Sequence, residues 1–229
     1  VVEEDPATAS EPAPAPYREA SRARRRSPSA SARSRASLPS PRRAAPHFNQ
    51  GERHRRIGNL QDAIREYLKA VEFNPSNPFY RFRLGDALAS SGLLAQAVAE
   101  LEAARDLDPE NGFYHFWLGD LYAHMGRYSE ALTEMEQATL TSPVDDYYRL
   151  RLGLLYLQLG FAQEAAQAFL QAIDIAPHNA GYHYLLGDAY VRLGADRQAL
   201  LHYRRAGHLG SYDSDYVEKM RQRAMQPPR

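Results

Sequence analysis

A strict period of 34 residues governs the chain from Ala44 to Asp213, five units with no insertion. Gly51, Gly85, Gly119, Gly153 and Gly187 form one column, and Gly58, Gly92, Gly126, Gly160 and Gly194 a second. Ala63, Ala97, Ala131, Ala165 and Ala199 form a third, and Ala70, Ala104, Ala138, Ala172 and Ala206 a fourth. Pro75, Pro109, Pro143 and Pro177 form a fifth, which Ser211 breaks. Ten of the fourteen Gly stand in the first two columns, so composition alone does not produce the pattern. A chain of this kind folds as an array of copies of one small unit, each burying its apolar face against its neighbours.

The columns also say what each unit is. Between Pro78 and Pro109 there is no Pro, which leaves room for two helices. Tyr80, Leu84 and Leu88 recur at the i, i+4, i+8 spacing of one helical face. Gly85 falls inside that helix, where Gly costs about 1 kcal/mol relative to Ala. Its retention in every unit predicts a close approach by a neighbouring helix. Gly92 can end the first helix in a left-handed conformation. The second helix is predicted from about Leu93 to Leu107, with Ala97, Leu101 and Ala104 on one face. Asp108-Pro109 then stops it.

This pattern resembles the tetratricopeptide repeat family. The fourth unit carries it in Leu152-Gly153, Tyr156, Gly160, Ala165, Phe169, Ala172 and Pro177. The resemblance covers about three-quarters of the 229 residues. It implies an all-α, right-handed solenoid of five helix pairs at 44–77, 78–111, 112–145, 146–179 and 180–213. It also implies that the first helix of each pair lines a concave groove for a peptide or protein. The family often has Trp three residues before the Leu-Gly pair. Here that column reads His47, Arg81, His115, Arg149 and His183, with Tyr80, Tyr114, Tyr148 and Tyr182 just ahead of it, and Tyr is expected to supply the core aromatic. Gln50 and His54 replace apolar residues in the first unit, as suits a terminal repeat. Ser214 can cap a closing helix to about Ala224, in which Arg221 replaces the column Gly. It is expected to complete the array within the 214–229 tail.

A second face of the first helices runs at i, i+3, i+7, i+10 beside the core face. It carries Phe79, Phe82, Asp86 and Ala89, then Phe113, Phe116, Asp120 and Ala123. The next two units place Tyr147, Leu150 and Leu154, then Tyr184, Asp188 and Val191, on it. The resemblance assigns this face to the groove, which would be apolar and aromatic with a sparse acidic row. A competing expectation is that these aromatics pack against the adjacent unit.

Residues 1–43 have a different character. Eight of the fifteen Pro fall in residues 1–46, and the apolar residues there other than Ala are Val1, Val2, Tyr17 and Leu38. Such a stretch does not bury enough surface to offset its ordering entropy, so a disordered arm is expected. An acidic Pro/Ala part is followed by an Arg/Ser part, Tyr17–Arg43, with nine Arg and one acid. A solvated linker, a polyanion-binding arm and a transit-type segment all fit that composition.

The whole chain carries 28 basic and 28 acidic residues, so it lacks the basic excess of a dedicated nucleic-acid binder. The absence of Cys rules out disulfides, thiolate metal sites and a cysteine nucleophile. No phosphate loop, nucleophile elbow or zinc-protease motif occurs, and several of the eight His share a repeat column, a packing signature more than a ligand set. Neither an enzyme nor a metal or cofactor site is expected. The expectation is a non-catalytic adaptor, scaffold or assembly factor for an apolar, aromatic or basic partner, with no small-molecule substrate. The alternatives are a regulatory or targeting segment of a larger enzyme or membrane-anchored protein, or polyanion contact through the Arg-rich arm. Self-association stays open. A cytoplasmic location is expected, although a chain starting at Val1 leaves export, an anchor or an organelle open.

Overall fold

The computed structural model describes residues 40–209. Among them are ten α-helices and no strand, arranged as successive antiparallel pairs. The pairs are α1 (Pro41–Arg56) with α2 (Leu60–Phe73), α3 (Pro78–Ser90) with α4 (Leu94–Leu107), and α5 (Gly112–His124) with α6 (Tyr128–Thr141). They continue with α7 (Asp146–Leu159) and α8 (Ala162–Ile175), then α9 (Ala180–Arg192) and α10 (Asp196–His208). The second helix of each pair packs on the first helix of the next, which makes the array an all-α solenoid. No helix of the described residues is long and apolar enough to cross a membrane.

α1 starts at Pro41, so Pro41, Arg42 and Arg43 form the first turn of a helix where the sequence placed the end of the arm. Proline is favoured there because its fixed φ suits a first turn whose N–H groups have no intrahelical partner. The rest of the arm and the capping helix expected at 214–224 lie outside the described residues.

Each turn follows from its residues. At the end of α7, Gly160 adopts φ 86°, and the Phe161 N–H reaches back to the Tyr156 carbonyl at 2.9 Å. This left-handed residue reverses the chain into α8, and the equivalent Gly of every unit has positive φ. The opposite turn ends in a polar column that caps the next first helix. Asn77 accepts from the Tyr80 N–H at 3.1 Å, Asp145 from the Tyr147 N–H at 3.0 Å, and Asn111 and Asn179 cap α5 and α9 alike.

Within a pair, the mid-helix Gly lets the second helix close. A Cβ on Gly153 would stand 2.5 Å from the Phe169 ring, so the backbone of α7 is where a side chain would otherwise be. The Ala columns complete the contact, with Ala97, Ala131, Ala165 and Ala199 fully buried.

Between pairs, aromatics form a ladder. Tyr80 stacks on Phe48 at 4.6 Å and Tyr148 on Phe116 at 4.9 Å, each pair joining a first helix to the next first helix. Tyr114 contacts Phe82 at 6.3 Å in the intervening junction. The Tyr column thus takes up the aromatic role expected of it.

The neighbouring column, where the family often has Trp, is a polar fastener. His47 meets Glu66 at 2.6 Å, Arg81 meets Glu100 at 2.9 Å, and His115 meets Glu134 at 2.7 Å, each bonding a first helix to its own partner helix. The far side of the same residue holds the preceding turn: Arg81 donates to the Pro75 carbonyl and His115 bonds the Pro109 carbonyl. In the last pair both partners are histidines, His183 and His202, 3.2 Å apart.

Candidate functional site

The groove face assigned from the sequence divides in two. Phe79, Tyr147 and Leu154 are exposed at 40%, 45% and 37%. Phe82 and Phe116, by contrast, are only 4% exposed. Phe82 meets Phe113 edge-on at 4.6 Å and Trp117 at 5.7 Å, while Phe116 is covered by Tyr147 and Tyr148. These two rings belong to the junctions between units and present little surface to a ligand. The physical reason is spacing: in a tight array the residue three positions into the face points at the next first helix. Phe113 and Leu150 are half-buried against the core, and Tyr184 and Val191 are partly exposed.

The acidic row has a structure of its own. In the first and last units a tyrosine from the second helix donates to it, Tyr67 to Glu52 at 2.6 Å and Tyr203 to Asp188 at 2.5 Å. Burial and the Glu52 carboxylate hold the Tyr67 phenol well above its usual value. In the middle units this second-helix position is Leu101, Met135 and Phe169, with no hydroxyl to give.

A cation from the following unit reaches the acid at two junctions, beside the Tyr67 hydroxyl at Glu52 and without any such hydroxyl at Asp120. Arg83 donates to Glu52 at 3.2 Å, and Arg151 donates to Asp120, each 31 residues apart in sequence. Each guanidinium also lies over aromatic rings, Arg83 at 5.3 Å from Phe79 of its own helix, and Arg151 at 5.9 Å from Phe116 of α5 and 6.0 Å from Tyr147 of its own helix. At the junction between them the equivalent residue is Trp117. Asp86 therefore receives no cation from α5; its nearest is Arg83 on its own helix, at 3.8 Å. Burial pushes the Asp86 carboxyl above its usual value, against the pull of Arg83.

A cavity of about 260 Å³ occupies this same junction. Phe82, Asp86 and Ala89 of α3 and Leu94 and Leu101 of α4 form one side. Trp117, Asp120, Leu121 and His124 of α5 form the other. A smaller cavity of about 130 Å³ lies one repeat further on, lined by Ala123, Met135, Arg151, Leu154, Leu155 and Gln158. Those positions are the first cavity's shifted by one period. Arg151 lines the second cavity where Trp117 lines the first, and Met135 stands where Leu101 does. At the next junction Arg192 of α9 donates to the Leu157 carbonyl at 2.7 Å. The sequence reading missed Arg83, Trp117 and Arg151, although their column faces the acids in the sequence itself.

Among the described residues no group of three or more His, Asp or Glu could hold a metal ion. His47, His115, His183 and His202 are used in the fasteners between helices.

Comparisons with known proteins agree with this architecture. No curated protein sequence matches the chain. Among solved structures it is similar to a crystal structure of MamA protein, with a TM-score of 0.65 and 22% identity over 81% of this chain and 97% of that one. It is similar to MamA 41-end from Desulfovibrio magneticus RS-1, with a TM-score of 0.64 and 23% identity over 81% of this chain and 98% of the other. YrrB, described as a TPR protein with an unusual peptide-binding site, superposes with a TM-score of 0.63 and 21% identity, over 78% of this chain and 92% of its own. The Tetratricopeptide repeat profile matches residues 82–147 and 150–214, more than half of the chain, and a TPR repeat profile matches residues 51–92. With its helix pairs, glycine turns and alanine contacts in register with those profiles, the chain belongs to the tetratricopeptide repeat family.

Proposed function

We propose that the chain is a non-catalytic protein-interaction module that holds a peptide or protein segment on the face of α3, α5 and α7. The observation that carries this is the apolar cavity of about 260 Å³ on that face, flanked by the exposed Phe79, Tyr147 and Leu154. Exposed aromatics around a concave, mostly apolar site are what a docking segment needs for affinity. The acids along the face favour a basic or neutral segment over an anionic one. Similarity to a TPR protein described as having a peptide-binding site supports the same reading.

The test compares capture of partners by the full chain and by two variants. One combines Phe79→Ala, Tyr147→Ala and Leu154→Lys on the groove face. The other carries Leu140→Lys and Leu201→Lys, exposed positions on α6 and α10. Loss of the same captured proteins in the first variant alone is the expected result. Equal capture by all three would refute the reading.

A further inference from the structure

We infer that the junction between the second and third units is a receptor for one arginine side chain of a partner. Its guanidinium would stand opposite Asp86 and against Trp117, where the flanking junctions use an arginine of the chain itself. The inference rests on the groove reading above and names what the groove selects.

The argument is one of comparison within the molecule. Three successive junctions are built on one plan: an acid on the earlier first helix, and on the later one a residue 31 positions on that faces it. The first junction is Glu52 with Arg83, and the third is Asp120 with Arg151. The second is Asp86 with Trp117, and there the acid faces an indole. The chain thus shows twice which group satisfies this position: a planar cation bonded to the carboxylate and laid over rings. The indole leaves that cation out, and a cavity of about 260 Å³ is present beside it, larger than the 130 Å³ where Arg151 is in place.

The walls suit an arginine stem as well as its head. Leu94, Leu101 and Leu121 offer apolar surface to the methylene groups. Trp117 offers the aromatic face with the strongest attraction for a cation. Asp120 lines the same cavity, which adds a second carboxylate although Arg151 already engages it. His124 sits beside Asp120, its Nδ1 2.8 Å from the Asp120 carbonyl oxygen. A neutral side chain of the same shape would fill the space and leave Asp86 with Arg83 alone.

Trp117 is the only tryptophan in the chain, so its indole N–H signal and its fluorescence report on this cavity directly. The probe is the full chain titrated at low salt with the peptide acetyl-Ala-Leu-Arg-Leu-Ala-amide. The control peptide carries citrulline, which keeps the shape of arginine and removes its charge. The arginine peptide should shift the Trp117 signals with at least a roughly tenfold lower Kd than the citrulline peptide. Asp86→Asn should erase that difference. Trp117→Arg, which installs the residue of the flanking junctions, should abolish peptide binding by calorimetry while leaving the melting curve cooperative.

Equal shifts from both peptides would overturn the arginine receptor and leave the groove reading standing. No shift from either, with partner capture intact, would do the same. A preference for arginine that survives Asp86→Asn would also overturn it, as would a Trp117 signal that moves with protein concentration alone, which would give the cavity to a second copy.

Discussion

Phe116 of α5 and Tyr148 of α7, 32 residues apart, stack with ring centroids 4.9 Å apart and planes 17° from parallel. The pair ties two first helices of successive units, and the Phe48–Tyr80 pair repeats it at 4.6 Å. An array whose units touch only their neighbours depends on such junctions for its cooperativity. Phe116→Ala should therefore cost about 3–5 kcal/mol, the range for emptying a buried aromatic site. Phe79→Ala, at an exposed position of the equivalent face, should cost less than about 1 kcal/mol. Urea unfolding of the two variants checks this, and similar losses in both would contradict the assignment of Phe116 to the junction.

The close approach within each pair gives a second prediction. Ala131 is fully buried, and its carbonyl oxygen would stand 3.1 Å from a Cβ on Gly119. Ala131→Leu should destabilise the array by roughly 1–3 kcal/mol through overpacking. Gly153→Ala should do likewise, since the new methyl would meet the Phe169 ring at 2.5 Å. Gly160→Ala tests a different cause: nothing crowds that position, and the cost of about 1–2 kcal/mol comes from its left-handed backbone alone. Melting temperatures of the three variants check the set. An unchanged value for Ala131→Leu would remove the close contact from the account.

The helix pairs were legible because each column has a local cause that survives in one dimension. Gly160 needs a left-handed backbone, Gly153 a close neighbour, and Pro143 and Pro177 a stop. The capping column Asn77, Asn111, Asp145 and Asn179 was equally legible and passed unread. The groove was less so. Spacing puts Phe79, Phe82 and Asp86 on one side of α3, yet that side spans both open groove and junction. Which half a residue meets depends on how closely the next first helix approaches. Phe82 went to the junction and Phe79 to the surface for that reason. Trp117 was missed because the face was traced at i+3 and i+7, which steps over i+4. Reading down its column, with arginine one repeat before and after, would have marked it.

The engaged arginines bear on which partners the groove rejects. A groove that clamps a peptide carboxylate needs cations free to receive it. Here Arg83 is held by Glu52 and Arg151 by Asp120. The acid row at Glu52, Asp86 and Asp120 also raises the cost of bringing an anion near. Peptides with an acidic C-terminal tail should show no binding in the micromolar range by calorimetry at low salt. A micromolar Kd would require those ion pairs to open, and would overturn the picture of a cation-selective face.

The last helix pair should be the acid-sensitive part of the array. His183 and His202 face each other at 3.2 Å, with stacked rings 5.5 Å apart, and Tyr190 lies over His202. Burial, and then the His183 ring, hold His202 below the usual histidine value. The unfolded chain then takes up a proton that the folded pair resists. Stability from this site is complete above about pH 6.5, the ordinary value, and is lost as pH falls from there towards the folded value. The melting temperature should accordingly drop between pH 7 and pH 5. The first and third units suggest the control, because there the same two positions are a His and a Glu at 2.6 and 2.7 Å. His202→Glu should give His183 a carboxylate partner. Hydrogen bonds from Lys69 and His47 hold the equivalent Glu66 below the usual carboxylate value, so a pair of this kind loses its stabilisation only as pH falls below about 4.5. The variant should therefore flatten the loss between pH 7 and pH 5. Thermal melts across that range decide the matter: an equal drop in both proteins would place the acid sensitivity elsewhere.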